Sequence, residues 1–414
     1  VQPIRYSCND MVAVDRTIEE TRRLERYIDA QEGGPGKGWF RIVESPEQAR
    51  EVIGEGKLAI ILGIEVSNLF DCFLVPPGGG ERCTEQEVLA ALDKYYDKGV
   101  RALFPVHKFD NAFSAGDGHR DAMELGNFAQ TGHWSNFTDD CPDLPSVFDR
   151  GDVTFGDLNQ PRADFLGDPP VDMSAFADDP IPTLAAHAGV LLSDRLRGDY
   201  CQKAGMTLLG EFLLEELMKR GMIIEVDHLP RRAFQRAYEI LEQSDYPAAG
   251  THGNNNRGAI YALGGVSKFN FGRCSDPNQP GGRANGLRNR LELIDAAGGF
   301  AAEGFGFDLN GFAGAPGPRF GEKSGCGDQE NPVTYPFESL SGDITFTEPR
   351  VGERVIDFNT EGLAHVGLIP ELLEDARNDG VSDEEFEALF KSAEGYLRMW
   401  EKAERRGREL SGGD

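Results

Sequence analysis

Five side chains that can bind a metal ion stand directly after apolar stretches of the sequence. They are Glu65 after LAIILGI, His107 after RALFPV, His228 after MIIEVD, His252 after AAGT and Asp308 after FGF. Imidazole and carboxylate groups are ligands that suit Zn²⁺ or a similar divalent ion. A catalytic zinc site keeps one position for water, and two neighbouring metals can share a hydroxide. The pattern therefore predicts one or two divalent metal ions and hydrolytic chemistry.

The apolar stretches before these side chains have the pattern of buried parallel strands. Residues 57–65 and 100–107 are nearly continuous apolar runs, as expected for strands that are covered on both faces. Between them, the sequence TEQE at residues 84–87 has the pattern of a capping box and predicts a helix that ends before Gly99. This order indicates an α/β fold. Because functional groups of (β/α)8 barrels lie at the carboxyl ends of the strands, we predict a TIM-type (β/α)8 barrel.

The alternation of helices and strands continues along the chain and is interrupted twice. Further helices are predicted at residues 15–31, 207–220, 231–242, 286–297, 369–379 and 382–405, and further strands at 222–228, 248–252, 262–271 and 300–308. Residues 110–200 and 311–350 are rich in Gly and Pro, and we predict two long loop excursions there. Such loops in compact domains are usually lids or binding walls. Without a repeat or a low-complexity linker, the chain is predicted to be one domain over residues 1–414.

Each of the five side chains has a simpler explanation when it is considered alone. A histidine at the end of a strand is more often a hydrogen-bonded structural group, Glu65 could cap a helix, and Asp308 could shape a turn. Five strands that bring such side chains to one rim favour a shared site. The other histidines fall in predicted loops or helices and are His119, His133, His187 and His365.

The order of these motifs resembles the membrane (renal-type) dipeptidase family of the amidohydrolase-like metallohydrolases. The matching stretches are GIEVSNLF, YYDKGVRALFPVHKFDNAF, GMTLLGEFLLEELMKRGMIIEVDHLP, AAGTHGNNNRG, FGFDLNG and the tail GLAHVGLIPELLEDARNDGVSDEEFEALFKSAEGYLRMW. The resemblance covers about residues 48–405, apart from the two excursions. It implies a barrel and a metal-dependent hydrolase, and it is not specific to a substrate.

The resemblance implies a role for each matching side chain. Glu65 resembles the carboxylate that bridges two metals, and His228 and His252 resemble the two histidine ligands of one metal. His107 resembles the histidine that contacts the substrate and stabilises the oxyanion. Asp308 resembles the aspartate near the other metal, which moves a proton from water to the leaving group.

The sequence departs from the family's pattern at the first strand. That strand ends in a His-x-Asp pair in the family, whereas no histidine precedes His107 here. The pair His119 and Asp121 lies in a polar loop, and we interpret it as solvated rather than as a displaced ligand pair. Residues before 57 have room for at most one more strand, near residues 4–8, so we expect an upstream segment or chain to supply the missing strand 1. The alternative is loss of that metal, which leaves a mononuclear enzyme or an inactive barrel.

The motifs and the resemblance together predict a metal-dependent hydrolase that cleaves an amide or peptide-like bond with a metal-activated hydroxide. The predicted ligands of one or two Zn²⁺ ions are Glu65, His228, His252 and Asp308. Asp308 and His107 are the predicted catalytic residues, and His107 and Arg257 are predicted to bind the substrate, although the family's arginine lies farther past the histidine. Two alternatives are a related metallohydrolase that acts on a lactone, ester or phosphoester, and a non-catalytic barrel without full metal loading.

Composition and cysteines limit the class of protein further. A net charge of −28 repels phosphate backbones and argues against nucleic acid as a partner, so a small-molecule or peptide substrate is expected. No apolar run reaches the roughly 18–20 residues that span a bilayer. The seven cysteines include no CxxC pair. We predict an extracellular or periplasmic protein with Cys8 unpaired within the chain and the disulfides Cys72–Cys83, Cys141–Cys201 and Cys274–Cys326. The alternative is a cytosolic enzyme with free buried thiols.

Overall fold

A computed structural model of the chain describes residues 9–76, 80–117, 122–144, 149–154, 157–158, 171–187, 189, 194–253, 256–269, 271, 282–306, 316–322, 324 and 331–412. The chain divides into two compact units. The first unit comprises Val1–Gly250, Asn254–Ala259 and Leu397–Asp414. The second unit comprises Thr251–Gly253 and Ile260–Tyr396.

Helices and short strands alternate along the described residues. The helices are α1 Asp10–Gln31, α2 Pro46–Gly54, α3 Glu85–Asp97, α4 Ala122–Thr131, α5 Pro180–Ala185, α6 Leu208–Lys219, α7 Arg231–Gln243, α8 Arg257–Ala262, α9 Gly282–Ala296, α10 Phe358–Glu361, α11 Ile369–Asn378, α12 Asp383–Phe390 and α13 Ser392–Leu410. The strands are β1 Phe40–Ile42, β2 Leu58–Ile60, β3 Leu62–Ile64, β4 Val100–Leu103, β5 Asn136–Thr138, β6 Asp157–Leu158, β7 Cys201–Gln202, β8 Ile223–Ile224, β9 Ala249–Gly250, β10 Val266–Phe269, β11 Gly304–Phe305, β12 Phe337–Glu338, β13 Thr345–Phe346, β14 Arg350–Val351 and β15 Arg354–Val355. Within these described ranges, no helix has both the length and the apolar character that a membrane crossing needs.

Parallel strands that are connected through helices form the interior of the first unit. β1 pairs with β2, β3 pairs with β4 and β4 pairs with β8, all in parallel. A parallel bridge between Glu225 and Ala249 joins the ends of β8 and β9. All residues of β4 and β8 are buried, as is typical of parallel strands with both faces covered. The α/β class predicted from the sequence is confirmed, and the closed (β/α)8 barrel stays a prediction.

The starts of two helices show the capping groups that the sequence indicates. At α3, the hydroxyl of Thr84 accepts a hydrogen bond from the backbone of Glu87, whose carboxylate accepts one from the backbone of Thr84. This capping box satisfies two N–H groups that have no partner inside the helix. At α6, the hydroxyl of Thr207 accepts a hydrogen bond of 3.0 Å from the backbone of Gly210. These two caps fix where the helices between β3, β4 and β8 begin.

Some predicted elements differ in position from those observed. α1 begins at Asp10 after an Asn9 cap, earlier than predicted. The described residues before residue 57 contain one strand, β1, which lies at Phe40–Ile42 rather than near residues 4–8, together with the helix α2. Residues 4–8 lie outside the described residues. β1 has only three half-buried residues, too few to give a periodic signal. The predicted helix at 382–405 is divided at Lys391 into α12 and α13.

The first excursion contains regular structure that its sequence did not predict. Its described residues include α4 and a small sheet in which β5 pairs in parallel with β6 and antiparallel with β7. The disulfide Cys141–Cys201 connects the segment after β5 to β7, and Cys72–Cys83 closes the loop before α3. Both predicted pairings are confirmed. The predicted pair Cys274–Cys326 and the single Cys8 lie outside the described residues.

The second unit combines one parallel strand pair, two hairpins and helices. β10 pairs in parallel with β11, and the hairpins β12–β13 and β14–β15 are antiparallel. Its buried core includes aliphatic and aromatic side chains of the hairpin and of the helices that follow, such as Phe337, Leu368, Leu372, Phe386 and Leu389. The second predicted excursion therefore contains strands whose side chains join a core.

Candidate metal centre

Glu65, His107 and His228 meet at the carboxyl ends of three neighbouring strands. Glu65 directly follows β3, whereas His107 follows β4 and His228 follows β8 after short buried segments. Because β3, β4 and β8 are adjacent and parallel, their ends lie at the same edge of the sheet. One ligand atom from each side chain lies within 4.8 Å of the others. The fold thus brings together three of the five side chains predicted from the sequence.

The carboxylate of Glu65 is the centre of this cluster. Its Oε1 lies 2.8 Å from His228 Nε2 and 3.6 Å from His107 Nε2. The two imidazoles are arranged edge to face, with ring centroids 4.5 Å apart. Ligands at about 2.0–2.1 Å from a tetrahedral zinc ion are roughly 3.3 Å from one another, which is close to the two distances from Glu65. The type and spacing of these donor atoms therefore fit a divalent metal ion.

The cluster has an inner side and an open side. The side chains of Glu65 and His107 are each 30% exposed, whereas that of His228 is 4% exposed. Water or a substrate can reach the first two side chains, and His228 is enclosed by protein. An accessible side is what distinguishes a catalytic metal site from a closed structural one.

His228 has a backbone conformation that is uncommon outside glycine. Its φ is +69°, a left-handed value that histidine adopts more often than most residues but still at a cost of about 1–3 kcal/mol. The neighbouring residues Asp227 and Leu229 are fully buried, and Val226 N donates a hydrogen bond of 2.9 Å to the carbonyl of Ala249. The surrounding packing therefore holds a strained turn at the residue that contacts Glu65.

A second carboxylate lies on the other side of the His228 ring. Asp117 Oδ2 is 3.0 Å from His228 Nδ1 and 2.9 Å from Nζ of Lys108. The Asp117 side chain is only 3% exposed. The imidazole of His228 therefore has a carboxylate at each ring nitrogen, Glu65 at Nε2 and Asp117 at Nδ1.

Hydrogen bonds close the loop between β4 and Asp117. The fully buried Asn111 donates a hydrogen bond of 2.9 Å from Nδ2 to the carbonyl of Ser67, whose hydroxyl accepts one from Lys108 N. Asp110 Oδ1 accepts a hydrogen bond of 2.8 Å from Gly116 N. A Cβ atom at Gly116 would lie 2.4 Å from the carbonyl oxygen of Lys108, so this close approach requires glycine. The loop thus has a fixed shape that positions both His107 and Asp117.

The two histidines differ in the direction of their pKa shifts. Burial by itself lowers the pKa of His228, but the hydrogen bonds with Asp117 and Glu65 outweigh burial, and the pKa is raised. For His107, burial and the neighbouring His228 lower the pKa to about 4. His107 is therefore neutral near pH 7, the form of imidazole that can bind a metal or exchange hydrogen bonds with a substrate.

The other predicted site residues are placed as follows. His252 belongs to the second unit and comes shortly after β9. Arg257 is the first residue of α8. Asp308 and the pair His119 and Asp121 lie outside the described residues. Their roles stay predictions.

Asp117 and Lys108 were not predicted from the sequence as residues of the site. Asp117 lies at the start of the first excursion, in the sequence SAGDGH, which has neither the apolar run of a strand nor a periodic pattern. Its position depends on hydrogen bonds of Asp110 and Asn111, both of which lie in the stretch HKFDNAF. The one available signal was the density of polar residues directly after a buried strand.

No protein-family model matches the chain, and no curated protein matches it. Several solved structures are similar to it. A metallo peptidase from Rhodobacter sphaeroides, liganded with a phosphinate mimic of the dipeptide L-Ala-D-Ala, is 14% identical with a TM-score of 0.46, and the match covers 95% of this chain and 74% of that chain.

Two further solved structures are similar over nearly the same part of the chain. The metallo peptidase named dipeptidase AC is 15% identical with a TM-score of 0.48, covering 95% of this chain and 77% of that chain. An amidohydrolase from Pseudomonas aeruginosa is 12% identical with a TM-score of 0.45, covering 94% and 84%. The solved structures similar to this chain thus include metallo peptidases and an amidohydrolase.

Proposed function

We propose that the chain is a metal-dependent hydrolase whose divalent ion is bound at Glu65 and His228. The observation that carries this proposal is the cluster of Glu65, His107 and His228, with ligand atoms within 4.8 Å of one another and an accessible side. A bound divalent ion would polarise a substrate carbonyl and lower the pKa of a coordinated water. Each residue of the cluster has a separate task in this proposal.

Glu65 and His228 form the inner part of the proposed site. Their facing atoms are 2.8 Å apart, so a metal ion would take the place of the proton that they share in the metal-free protein. His107 lies 3.6 Å from the same oxygen of Glu65. That distance allows it either to complete the ligand set or to meet the substrate, and the family resemblance favours contact with the oxyanion of the substrate.

The remaining roles rest on the family resemblance. We propose His252 as a second histidine ligand and Asp308 as the group that moves a proton from water to the leaving group. Arg257 is proposed to bind a substrate carboxylate. Zn²⁺ is the proposed ion, because carboxylate and imidazole together suit it. The substrate is proposed to contain an amide or peptide-like bond.

The architecture and location of the protein complete the proposal. We propose one domain with a (β/α)8 barrel, in agreement with the buried parallel strands β3, β4 and β8. The disulfides Cys72–Cys83 and Cys141–Cys201 support an extracellular or periplasmic location, because disulfides persist in oxidising compartments.

The hydrolase proposal is tested by substrate profiling of the purified chain. The protein is stripped of metal with a chelator, reloaded with Zn²⁺ and offered dipeptides, lactones, carboxylic esters and phosphoesters. We expect hydrolysis of dipeptides that depends on added metal, because the ion must polarise the carbonyl and activate water. Metal-dependent turnover of lactones, esters or phosphoesters alone would support the metal site. It would show that the hydrolysed bond is not the proposed amide or peptide-like bond.

The matched variants are Glu65→Gln and Glu55→Gln. The second changes a carboxylate of the same unit that pairs with Lys57 at the surface and is 62% exposed. We expect Glu65→Gln to abolish metal-dependent turnover and Glu55→Gln to leave it unchanged. No turnover of any substrate by the metal-loaded wild type, or full turnover by Glu65→Gln, would contradict the proposal.

A further inference from the structure

We propose that Asp117 is a positioning residue, which holds the imidazole of His228 with a proton on Nδ1 so that Nε2 is the ligand atom facing Glu65. This inference rests on the proposed function, because it assigns a task at the same metal site. It adds a residue that neither the sequence motifs nor the family resemblance identifies. Lys108, whose Nζ contacts the same oxygen of Asp117 as His228 Nδ1 does, completes the arrangement.

The first step is the geometry of the His228 ring. A histidine that binds a metal through Nε2 carries its remaining proton on Nδ1, and the group that accepts this proton decides which nitrogen is free. Asp117 Oδ2 is 3.0 Å from Nδ1, a hydrogen-bond distance, and Glu65 Oε1 is 2.8 Å from Nε2. The ring is also enclosed by Phe104 and by His107, with ring centroids 5.9 Å and 4.5 Å away.

The second step is the charge of Asp117. A buried carboxylate is costly unless an opposite charge and hydrogen bonds compensate it. Lys108 Nζ lies 2.9 Å from Asp117 Oδ2 and supplies that positive charge. A metal ion that displaces the proton between His228 Nε2 and Glu65 would leave the Nδ1 proton facing Asp117. Lys108 balances the negative charge of Asp117 in that state.

The third step is preorganisation. The loop that carries Lys108 and Asp117 is closed by the hydrogen bond from Gly116 N to Asp110 and by the buried side chain of Asn111. These hydrogen bonds are all made between groups of the protein. A ligand that is held in position by the surrounding structure binds a metal more tightly than one that must be ordered on binding.

A purely structural role for Asp117 makes a different prediction. If Asp117 served only to pair with Lys108, its replacement would lower stability but leave zinc affinity and the proton on His228 unchanged. The test therefore needs readouts other than stability. The variant is Asp117→Asn, which keeps the size of the side chain and removes its charge.

The first readout is the imidazole proton of His228 in metal-free, ¹⁵N-labelled protein. Its ring signals are identified among those of the seven histidines by their absence in His228→Gln. In the wild type, we expect the NMR signal of the Nδ1 proton at low field, since this proton is hydrogen-bonded to a carboxylate. In Asp117→Asn, this signal should disappear or move to higher field. An unchanged signal would overturn the proposal.

The second readout is the affinity for Zn²⁺, measured by competition with a chelator. We expect Asp117→Asn to bind zinc about 10–100-fold more weakly, as is typical when the partner of a ligating histidine is lost. Asp199→Asn is the control, because Asp199 forms ion pairs with Arg150 and Arg231 in the same unit. It should leave the zinc affinity unchanged. Equal zinc affinity in Asp117→Asn and wild type would overturn the proposal.

Two further outcomes distinguish a failure of this inference from a failure of the proposed function. If Asp117→Asn does not fold, Lys108→Met removes the positive charge beside the same carboxylate, so the zinc affinity should fall by a smaller factor than in Asp117→Asn and the Nδ1 proton signal should shift. No change in either readout would then overturn the inference. If the wild type binds no zinc, the proposed function fails, and the proton signal alone decides whether Asp117 fixes the ring of His228.

Discussion

The two units differ in the groups that their buried carboxylates face. In the first unit, Asp117 faces the imidazole of His228, with 3.0 Å between the two atoms. In the second unit, Glu303 faces the guanidinium of Arg290, and both side chains are almost fully buried. A guanidinium is always charged and has no lone pair, whereas imidazole offers one to a metal ion. A buried carboxylate beside arginine is therefore a closed structural pair, whereas one beside histidine faces a ring whose second nitrogen can bind a metal ion.

The second unit contains another closed pair of the same kind. Asp375 of α11 forms an ion pair with Arg319, and their side chains are 2% and 5% exposed. Glu303 has a further partner, because the hydroxyl of Tyr261 donates a hydrogen bond of 2.7 Å to it. These groups lie beside the apolar core of the second unit, and we assign them to stability rather than to chemistry.

We expect the largest effect on the free energy of unfolding when the Asp375–Arg319 ion pair is removed. We expect Asp375→Ala to lower the free energy of unfolding by about 3–5 kcal/mol, because the charge of Arg319 then stays buried without its partner. The measurement is urea unfolding of the full chain. Zinc affinity of the folded variant should equal that of the wild type.

The control for this variant is Glu387→Gln on the same unit. Glu387 pairs with Lys391 at an exposed position, where the side chains are 65% and 51% exposed. An exposed pair of this type contributes about 0.3–0.5 kcal/mol. A loss of zinc binding in Asp375→Ala, or equal destabilisation by the two variants, would contradict the assignment of the buried Asp375–Arg319 pair to stability alone.

A smaller effect concerns a buried carboxyl that faces neither arginine nor histidine. Glu124 of α4 is 1% exposed and accepts hydrogen bonds from the hydroxyl and the backbone of Ser135. Burial raises the pKa of Glu124 well above its ordinary value, and the charge of Asp110 raises it further. Burial thus favours the protonated form of Glu124 in the folded protein, in contrast to the two kinds of pair above.

This state of Glu124 predicts how stability depends on pH. Because the pKa is higher in the folded than in the unfolded chain, its stabilising contribution is fully present below the unfolded pKa near 4.5 and is lost as the pH rises toward the folded pKa. The loss amounts to about 1.4 kcal/mol for each unit by which the pKa is raised. Glu124→Gln cannot ionise, so its stability relative to the wild type should increase between pH 5 and pH 8.

The measurement is the free energy of unfolding of both proteins at several pH values, with a chelator present to exclude metal binding. Glu124→Gln is nearly isosteric: its amide oxygen can accept the hydrogen bond from Ser135 N, and its amide N–H can donate to the hydroxyl of Ser135. A difference between variant and wild type that stays constant with pH would contradict a protonated Glu124.

The parts of the fold that the sequence predicted are those with a local signal. The stretches before Glu65, His107 and His228 are mainly apolar, and this local pattern is sufficient to predict buried parallel strands. The capping box at Thr84 and the end of α3 before Gly99 are equally local. The predicted ligands Glu65 and His228 and the predicted substrate-binding His107 meet because adjacent parallel strands end at the same edge.

The parts that the sequence did not predict depend on contacts between distant residues. Asp117 is positioned by a loop whose shape comes from side-chain hydrogen bonds, and such contacts leave no periodic pattern. β1 has three residues and is defined by its pairing with β2. The strands β5, β6 and β7 are equally short and are defined by one another. In each case, the tertiary structure determines the element.

The proposed metal site is best tested by zinc binding to metal-free wild type and Glu65→Gln, measured by isothermal titration calorimetry with a competing chelator. We predict that the wild type binds at least one Zn²⁺ per chain. In Glu65→Gln the affinity should fall by more than the roughly 10–100-fold that loss of an outer partner produces, because Glu65 is itself a ligand. No zinc binding by the wild type, or equal affinity in the variant, would contradict a metal site at Glu65, His107 and His228.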